Sequence, residues 1–511
     1  MSKPRGWPMK FERSSGILLH PSSLPGPFGI GDIGPRAHLW LEFLSQAGCG
    51  LWQVLPLGPT GYGDSPYQCF SAFAGNPYLI SPEALVLDGL LDEKSLDTRP
   101  LFPEDKVDFG EVITWKLGLL DQAFHTFSES ATPELNKELN TFQSEQAYWL
   151  EDFALFMAIK EYQGGGSWSD WPTPLRLRET QALQSARDKL SVPIRKQIFR
   201  QFLFFRQWKA LHNQARNLGI QIIGDIPIFV SHDSADVWSH TDLFYIDADG
   251  KPTVVAGVPP DYFSPTGQLW GNPLYNWETH ARSGYSWWLD RFKAVLQTVD
   301  IVRLDHFRGF AGYWEVPASN PTAEIGRWVR GPGKSFLKAV HDGLGELPII
   351  AEDLGLITPD VLEMRDDFNL PGMKIFQFAF SSDAKDPFLP HNYPKGCVVY
   401  TGTHDNDTVI GWFDTAPEKE RDFCLRYLDS DGKDLPWDMV RAVWGSVAVF
   451  SLAPMQDLLH LGTEARMNFP GRPSGNWIWR MSDGVLTDEL CQKLKEINHL
   501  FGRHKPDNNK L

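Results

Sequence analysis

The stretch that decides the fold is I-V-R-L-D-H-F-R-G-F, residues 301–310. Its apolar start predicts a short buried strand, and side-chain alternation along a strand places Arg303 and Asp305 on the same side. A guanidinium two residues from a carboxylate is expected to lower the pKa of that carboxylate and keep it ionised. A carboxylate nucleophile needs that state. The same pattern is also typical of a structural ion pair at a strand end, so this segment alone leaves both interpretations open.

Other apolar segments end in the same way, with an acid or an imidazole at or just past the strand end. They are residues 220–228 with Asp225, 348–355 with Glu352, and 398–407 with His404 and Asp405. In a closed parallel barrel, the carboxyl ends of the strands share one face, and catalytic groups sit on that face. The four segments together therefore favour a common site over four unrelated ion pairs.

Eight apolar segments alternate with helix-like segments, which predicts an α/β fold with a parallel sheet. Eight such strands indicate a closed (β/α)8 TIM barrel. The candidate strands are residues 15–21, 51–57, 220–227, 300–306, 348–354, 373–380, 397–404 and 446–456.

The spacing of the strands predicts a single catalytic barrel over residues 1–511 with two insertions at the C-terminal face. Residues 84–200 are rich in helix formers and too long for a loop, so we expect a mainly helical insertion. Residues 230–285 are rich in Pro, Gly and aromatic residues, so we expect an irregular, loop-rich insertion that lines the active site.

The formal net charge of −16 argues against a nucleic-acid or anionic-membrane partner, because no basic excess exists to neutralise phosphates. Five widely spaced cysteines without a C-x-x-C pair favour reduced thiols in a reducing compartment. The N-terminus lacks the apolar region of a secretory signal. We therefore expect a cytoplasmic protein.

Two motifs suggest a cofactor or a metal, and neither fits its usual context. Residues 29–34, G-I-G-D-I-G, match a dinucleotide fingerprint, but the prolines before them break the required strand-turn-helix. His232, Asp233, Asp236 and His240 could hold a metal, but their spacing matches no standard motif, and solvated loop groups are favoured. The sequence signals no cofactor and no metal.

Many aromatic residues lie in Gly/Pro-rich loops, where exposed rings could pack on the C–H faces of sugars. Residues 61–68 follow the second strand and read as a ligand-covering loop with Tyr62 and Asp64. Residues 258–273 read as a second binding loop with Gln268 and Trp270. The aromatic residues in such loops are Tyr62, Tyr67, Trp168, Trp171, Tyr262, Phe263 and Trp270.

Long segments carry a resemblance to a known family. S-G-I-L-L-H-P-S-S-L-P-G, P-Y-Q-C-F-S-A-F-A-G-N-P-Y-L-I and R-M-N-F-P-G occur in order, together with V-R-L-D-H-F, A-E-D-L-G and G-T-H-D-N. The chain strongly resembles the 4-α-glucanotransferases called amylomaltase or disproportionating enzyme, family 77 of the glycoside hydrolases in the α-amylase clan. The resemblance implies a barrel without the C-terminal β-sandwich of the amylases.

By that resemblance, Asp305 is the nucleophile, Glu352 the general acid/base and Asp405 the third carboxylate. Arg303 and His404 support the reacting sugar and the carboxylates. The other residues that the resemblance assigns to substrate binding are Tyr62, Asp225, Tyr262, Phe263, Gln268, Trp270 and Asn468, and Asp64 joins them as a candidate from its place in the loop 61–68.

The implied activity is transfer of α-1,4-glucan segments to the 4-hydroxyl of glucose or a maltooligosaccharide by a retaining double displacement. Two carboxyl groups flanking the glycosidic bond suit that chemistry. The implied partners are α-1,4-glucans and maltooligosaccharides, without a cofactor. Three alternatives stay open: an α-1,4-glucan hydrolase, a non-catalytic glucan-binding barrel, and a metal-dependent barrel hydrolase that uses His232 and His240.

Overall fold

Eight parallel strands form the core of the computed structural model, which describes residues 11–260, 264–472 and 474–504. Around the ring the strand order is β1, β2, β3, β6, β9, β10, β11, β12 and back to β1. The ring strands are β1 (Ser14–Leu18), β2 (Leu51–Gln53), β3 (Gln221–Ile226), β6 (Ile301–Leu304), β9 (Ile349–Ala351), β10 (Met373–Ile375), β11 (Val398–Tyr400) and β12 (Phe450–Pro454). All eight predicted strands are confirmed, and so is the (β/α)8 barrel.

The ring closes between β9 and β10 through a short bridge rather than a full ladder. Ala351 pairs with Gly372, and the amide of Met373 donates to Oδ1 of Asp353 at 2.7 Å. A Cβ at Gly372 would lie 2.4 Å from the Asp353 carboxylate, so only glycine permits this approach. The side chain of Asp353 thus replaces one backbone partner at the junction.

The interior of the barrel is a small apolar cluster, separate from the larger core between sheet and helices. Because side chains alternate along a strand, residues two positions after interior residues also point inward. Asp225 follows Ile223 in β3, and Arg303 follows Ile301 in β6, so both polar groups point into the barrel near its C-terminal end. The interior side chains are Leu51, Ile223, Ile301, Ile350, Met373, Val398, Tyr400, Phe450 and Leu452.

Helices cover the outside of the barrel and fill the segment between β2 and β3. The described α-helices are α1 (Pro35–Gln46), α2 (Pro82–Leu87), α3 (Phe109–Ser130), α4 (Pro133–Glu145), α5 (Ala147–Tyr162), α6 (Thr173–Arg176), α7 (Thr180–Lys189), α8 (Ser191–Asn217), α9 (Ala235–Ser239), α10 (Trp277–Arg282), α11 (Ser286–Leu296), α12 (Lys334–Leu344), α13 (Pro359–Asp367), α14 (Val409–Thr415), α15 (Glu418–Leu428), α16 (Leu435–Gly445), α17 (Met455–Leu458) and α18 (Asp488–Leu500). Seven of these, α2–α8, lie between β2 and β3.

A second, four-stranded antiparallel sheet stands beside the barrel mouth, in the order β5, β4, β7, β8. Its strands are β4 (Val254–Val258), β5 (Gln268–Pro273), β7 (Gly312–Pro317) and β8 (Arg327–Arg330). The expectation that residues 230–285 are irregular is wrong for β4 and β5. β4 pairs with β7, which comes from another part of the chain, and β5 pairs with β4, so the sheet stabilises strands that carry glycine and proline.

Two further expectations differ from the structure. The sixth strand ends at Ile375, and residues Phe376–Phe380 form a 3-10 helix, because Gln377 turns to donate to the backbone oxygen of Asp407 at 2.9 Å. Trp168 and Trp171 are buried rather than exposed on loops. Within the described residues, no helix is both long and apolar enough to cross a lipid bilayer.

Candidate active site

Arg303 organises the polar groups at the mouth of the barrel. Strands β3 and β6 are neighbours in a register that sets Asp225 beside Arg303. The guanidinium donates from Nε to Asp225 Oδ1 at 3.1 Å and from Nη2 to Oδ2 at 2.6 Å. The same Nη2 donates to Asp305 Oδ1 at 2.7 Å. The buried guanidinium therefore binds two carboxylates, Asp225 through two hydrogen bonds and Asp305 through one.

The pKa of Asp305 does not shift in the expected direction. Burial raises the pKa of Asp305 to about 7, against the lowering effect of Arg303 and with added repulsion from Asp225 and Asp405. The prediction that Arg303 holds this pKa below its ordinary value is wrong, because burial of the carboxylate outweighs the attraction of the guanidinium. The side chain of Asp305 remains 27% exposed, open to a ligand in the barrel mouth.

Glu352 follows β9, the strand next to β6, and forms no ion pair among the residues that the structure describes. Its carboxylate accepts from the amide of His306 at 2.7 Å and from the amide of Leu354 at 3.1 Å. Burial and the nearby Asp305 carboxylate raise the pKa of Glu352 well above its ordinary value. Because Asp305 has a guanidinium partner, whereas the described contacts of the Glu352 carboxylate are two amides, the protonated form is favoured more strongly at Glu352 than at Asp305.

His306, directly after Asp305, adopts a left-handed backbone conformation with φ 50° and ψ 48°. This turn aims its amide at Glu352. Its ring meets the ring of Trp270 edge-to-face, with centroids 4.8 Å apart. Trp270 in turn donates from Nε1 to Gln268 Oε1 at 3.2 Å. Trp270 thus lies beside the turn that follows Asp305, with Gln268 bonded to it, and both residues belong to strand β5 rather than to a loop.

Asp405 and His404 follow β11 on the other side of the mouth. Asn468 donates from Nδ2 to Asp405 Oδ1 at 2.6 Å, and Arg466 donates from Nη2 to the Asp405 backbone oxygen at 2.6 Å. His404 Nε2 lies 3.4 Å from Asp405 Oδ2. Asp405 is 49% exposed, whereas His404 is buried, which lowers the pKa of its imidazole. The segment around Asn468 therefore holds Asp405 through a side-chain and a backbone contact.

Tyr67 links the two sides and was missed as a site residue. Its hydroxyl donates to Asp225 Oδ2 at 2.5 Å and accepts from Arg303 Nη2 at 3.2 Å. Its ring stacks on His404 with centroids 5.1 Å apart and contacts Trp477 at 5.7 Å. Tyr67 lies in the loop 61–68, which was predicted to cover a ligand, but the residues predicted there were Tyr62 and Asp64.

The remaining candidates are Tyr62, Asp64, Tyr262 and Phe263. Tyr262 and Phe263 lie outside the described residues, as does the side chain of Tyr62. Asp64 is half-buried in a 3-10 turn, where burial raises its pKa and its charge acts on Tyr78. The structure does not connect Asp64 to the three acids.

The candidate metal ligands are engaged elsewhere, and the described ranges contain no cluster of His, Cys, Asp and Glu suited to a metal ion. Asp233 pairs with Lys160, His232 Nε2 bonds to the Gly250 oxygen at 2.8 Å, and Asp236 accepts from the Ala72 amide at 2.7 Å. Asp236 is buried, so the favoured alternative of solvated loop groups is also wrong for this residue. In the glycine segment 29–34, Asp32 forms a buried ion pair with Lys116 at 3.3 Å.

Comparison with known proteins gives one consistent family. The model of glycoside hydrolase family 77, described as 4-alpha-glucanotransferase, matches residues 19–487. A 4-alpha-glucanotransferase of Thermus thermophilus is 52% identical over 96% of this chain and 99% of its own length. One of Solanum tuberosum, chloroplastic/amyloplastic, is 45% identical over 96% of this chain and 86% of its length.

Solved structures agree with that assignment. The amylomaltase from Streptococcus agalactiae in complex with acarbose has a TM-score of 0.94 and 38% identity, covering 97% of this chain and 100% of that chain. With a family model over most of the chain and relatives of this identity, the chain belongs to the 4-alpha-glucanotransferase family, glycoside hydrolase family 77.

Proposed function

We propose that this chain transfers segments of α-1,4-glucan to the 4-hydroxyl of glucose or a maltooligosaccharide, with Asp305 as nucleophile and Glu352 as general acid/base. The observation that carries the proposal is the asymmetry of two interacting carboxyl groups on neighbouring strands. Asp305 is paired with a guanidinium, and Glu352 is held only by two amides. The names of the relatives and the acarbose complex of one of them support the same substrate class.

In the first step, the Asp305 carboxylate attacks the anomeric carbon while Glu352 gives its proton to the leaving glycosidic oxygen. A β-linked glycosyl-enzyme forms, and the leaving glucan departs with the proton. In the second step, Glu352 takes a proton from the 4-hydroxyl of the acceptor, and the acceptor oxygen displaces Asp305. Two inversions retain the α-configuration. The raised pKa of Glu352 suits the first step, because it favours the protonated form that donates to the leaving oxygen.

Asp405, His404 and Asn468 would hold the reacting sugar. Asp405 presents a half-exposed carboxylate, which accepts hydrogen bonds from sugar hydroxyls and stabilises positive charge that develops on the ring. The flat rings of Tyr67 and Trp270 border the same opening and suit the apolar faces of glucose. The insertion 230–285, which supplies Gln268 and Trp270, is proposed to wall the acceptor side and limit water. The helical insertion 84–200 is proposed to belong to the same single catalytic unit.

We also propose a cytoplasmic location. The five cysteines are free thiols, and four of them are buried. A reducing compartment keeps such thiols reduced.

Incubation with maltotriose tests the activity. Transfer yields glucose together with longer oligomers, whereas hydrolysis yields only shorter products. Asp305→Asn is expected to abolish both, and Asp360→Asn, an exposed acid at the start of α13, serves as the matched control. Formation of only glucose and maltose would favour a hydrolase, and unchanged product formation in Asp305→Asn would refute the nucleophile.

A further inference from the structure

The segment that carries His404 and Asp405, residues 401–409, joins β11 to α14 and is named here the Asp405 loop. Its two ends bind one side chain. The Thr401 hydroxyl donates to Asp457 Oδ2 at 2.7 Å, and the Val409 amide donates to Asp457 Oδ1 at 2.8 Å. A single carboxylate therefore clamps the entry and the exit of the loop.

Asp457 is an unusual residue for this position. It lies on α17, directly after β12, is 1% exposed, and forms no ion pair within the described residues. A buried carboxylate without a cation destabilises the fold, and an amide of the same shape would avoid that cost. Residues that break a packing rule in this way are expected at functional sites.

Apolar packing alone does not fix the Asp405 loop. A cavity of about 20 Å³ lies between the loop residues Thr403 and His404 and the neighbour of Asp457, Gln456. The middle of the loop is held by Asn468 and Arg466, which bind Asp405. The position of Asp405 thus depends on polar contacts at the two ends of the loop and at its middle.

We propose that Asp457 is a positioning residue for glucan transfer, which holds the Asp405 loop at the reacting sugar only while Asp457 is a carboxylate. The inference rests on the proposed role of Asp405. Asp457 does not touch the substrate; it acts through Thr401 and Val409.

The ionisation of Asp457 falls in an accessible range. Burial raises its pKa to about 6, the bonds from Thr401 and Val409 oppose that rise, and the charge of Asp407 adds to it. Above pH 6, the ionised form accepts two charge-assisted hydrogen bonds; below it, the protonated form accepts weaker ones. The anchor is therefore weakened as pH falls through about 6.

Other charged groups on the elements packed against α17 have partners other than Asp457. Arg466 lies 3.9 Å from Asp407. On α16, Asp438 accepts from Ser430, and Arg441 stacks on the ring of Phe501. The charge that reaches Asp457 most directly is that of Asp407.

Asp457→Asn tests the proposal, because asparagine mimics the protonated acid. The ratio of kcat/KM for wild type to variant, measured with maltotriose between pH 5 and 8, cancels the titration of the catalytic acids. We expect a ratio of about ten at pH 7.5, from the loss of charge-assisted bonding, and a ratio near one at pH 5. The variant should also unfold at a higher temperature at pH 7.5, because the buried charge is gone.

A pH-independent ratio would overturn the role of Asp457, whereas absence of transfer by the wild type would overturn the proposed function instead. Amide hydrogen exchange at pH 7.5 needs no activity: residues 401–409 should exchange faster in the variant, and equal rates would contradict the inference. Thr401→Ser keeps the hydroxyl and Thr401→Val removes it, which gives a matched pair if Asp457→Asn fails to fold. Only Thr401→Val should raise the pH at which kcat/KM falls as Asp457 gains its proton. Identical pH profiles of kcat/KM for the two variants would refute the clamp.

Discussion

Removing the hydroxyl of Tyr67 gives a direct test of the shared-guanidinium arrangement. Tyr67→Phe deletes a donor to Asp225 at 2.5 Å and an acceptor of Arg303 at 3.2 Å. A hydrogen bond to a charged group contributes about 2 kcal/mol, so the free energy of unfolding should fall by about that amount. Asp225 then interacts more strongly with Arg303, and the interaction of Arg303 with Asp305 weakens. The pKa of Asp305 should therefore rise above its present value of about 7.

Activity should fall for the same reason. If about one to two kcal/mol of this interaction is lost in the transition state, kcat/KM for maltotriose at pH 7 falls about fivefold to thirtyfold. The acid limb of the pH profile should also move to higher pH. Tyr393→Phe is the matched control, because its buried phenol donates only to the Phe388 carbonyl at 2.7 Å. That variant should lose about 1 kcal/mol of stability and no activity.

Two results would refute the reasoning. Activity of Tyr67→Phe within twofold of wild type would mean that Arg303 does not depend on the phenol. A loss of activity without any shift of the acid limb would mean that Tyr67 acts by stacking alone and not through the charge on Asp305.

Glu352→Gln should lower kcat with maltotriose about a thousandfold, because the leaving oxygen receives no proton; equal loss with a substrate whose leaving group needs no proton would contradict this role. The wild-type kcat/KM should rise with pH through about 7 as Asp305 loses its proton, and fall at higher pH as Glu352 loses its own; a profile that falls from pH 6 upward would reverse the assignment. Lys116→Met should cost about 3–5 kcal/mol in urea unfolding, because it leaves Asp32 buried without its cation; adding Asp32→Asn should restore part of that loss.

The sequence predicted the parts of the site that follow from strand ends. Apolar runs ending in Asp305, Glu352 and Asp405 are local patterns, and parallel closure brings the ends of such runs to one face. The resemblance supplied Asn468, because its segment is a recognisable match. In each case the information lies within a few consecutive residues.

Features that depend on distant partners were not predictable in the same way. The pKa of Asp305 depends on how Arg303 divides its bonds, and Asp225, 78 residues away in sequence, takes the larger share. Strand β4 pairs with β7, which lies more than 50 residues later in the chain, and β5 pairs with β4, so both strands depend on a partner that local sequence does not reveal. Tyr67 differs from other loop tyrosines in the partners that its ring and hydroxyl contact in the folded chain, and its local sequence does not reveal them.

The left-handed turn at His306 joins the two reacting acids mechanically. Asp305 precedes this residue, and the His306 amide holds the carboxylate of Glu352. The dipeptide Asp305-His306 thus contains the proposed nucleophile and also binds the proposed proton donor, although the two acids follow different strands. Small motions of the surrounding loops would move both acids together and keep the distance between their carboxyl groups constant. A β-branched residue at position 306, which resists positive φ, should let that gap vary and so uncouple bond cleavage from proton delivery.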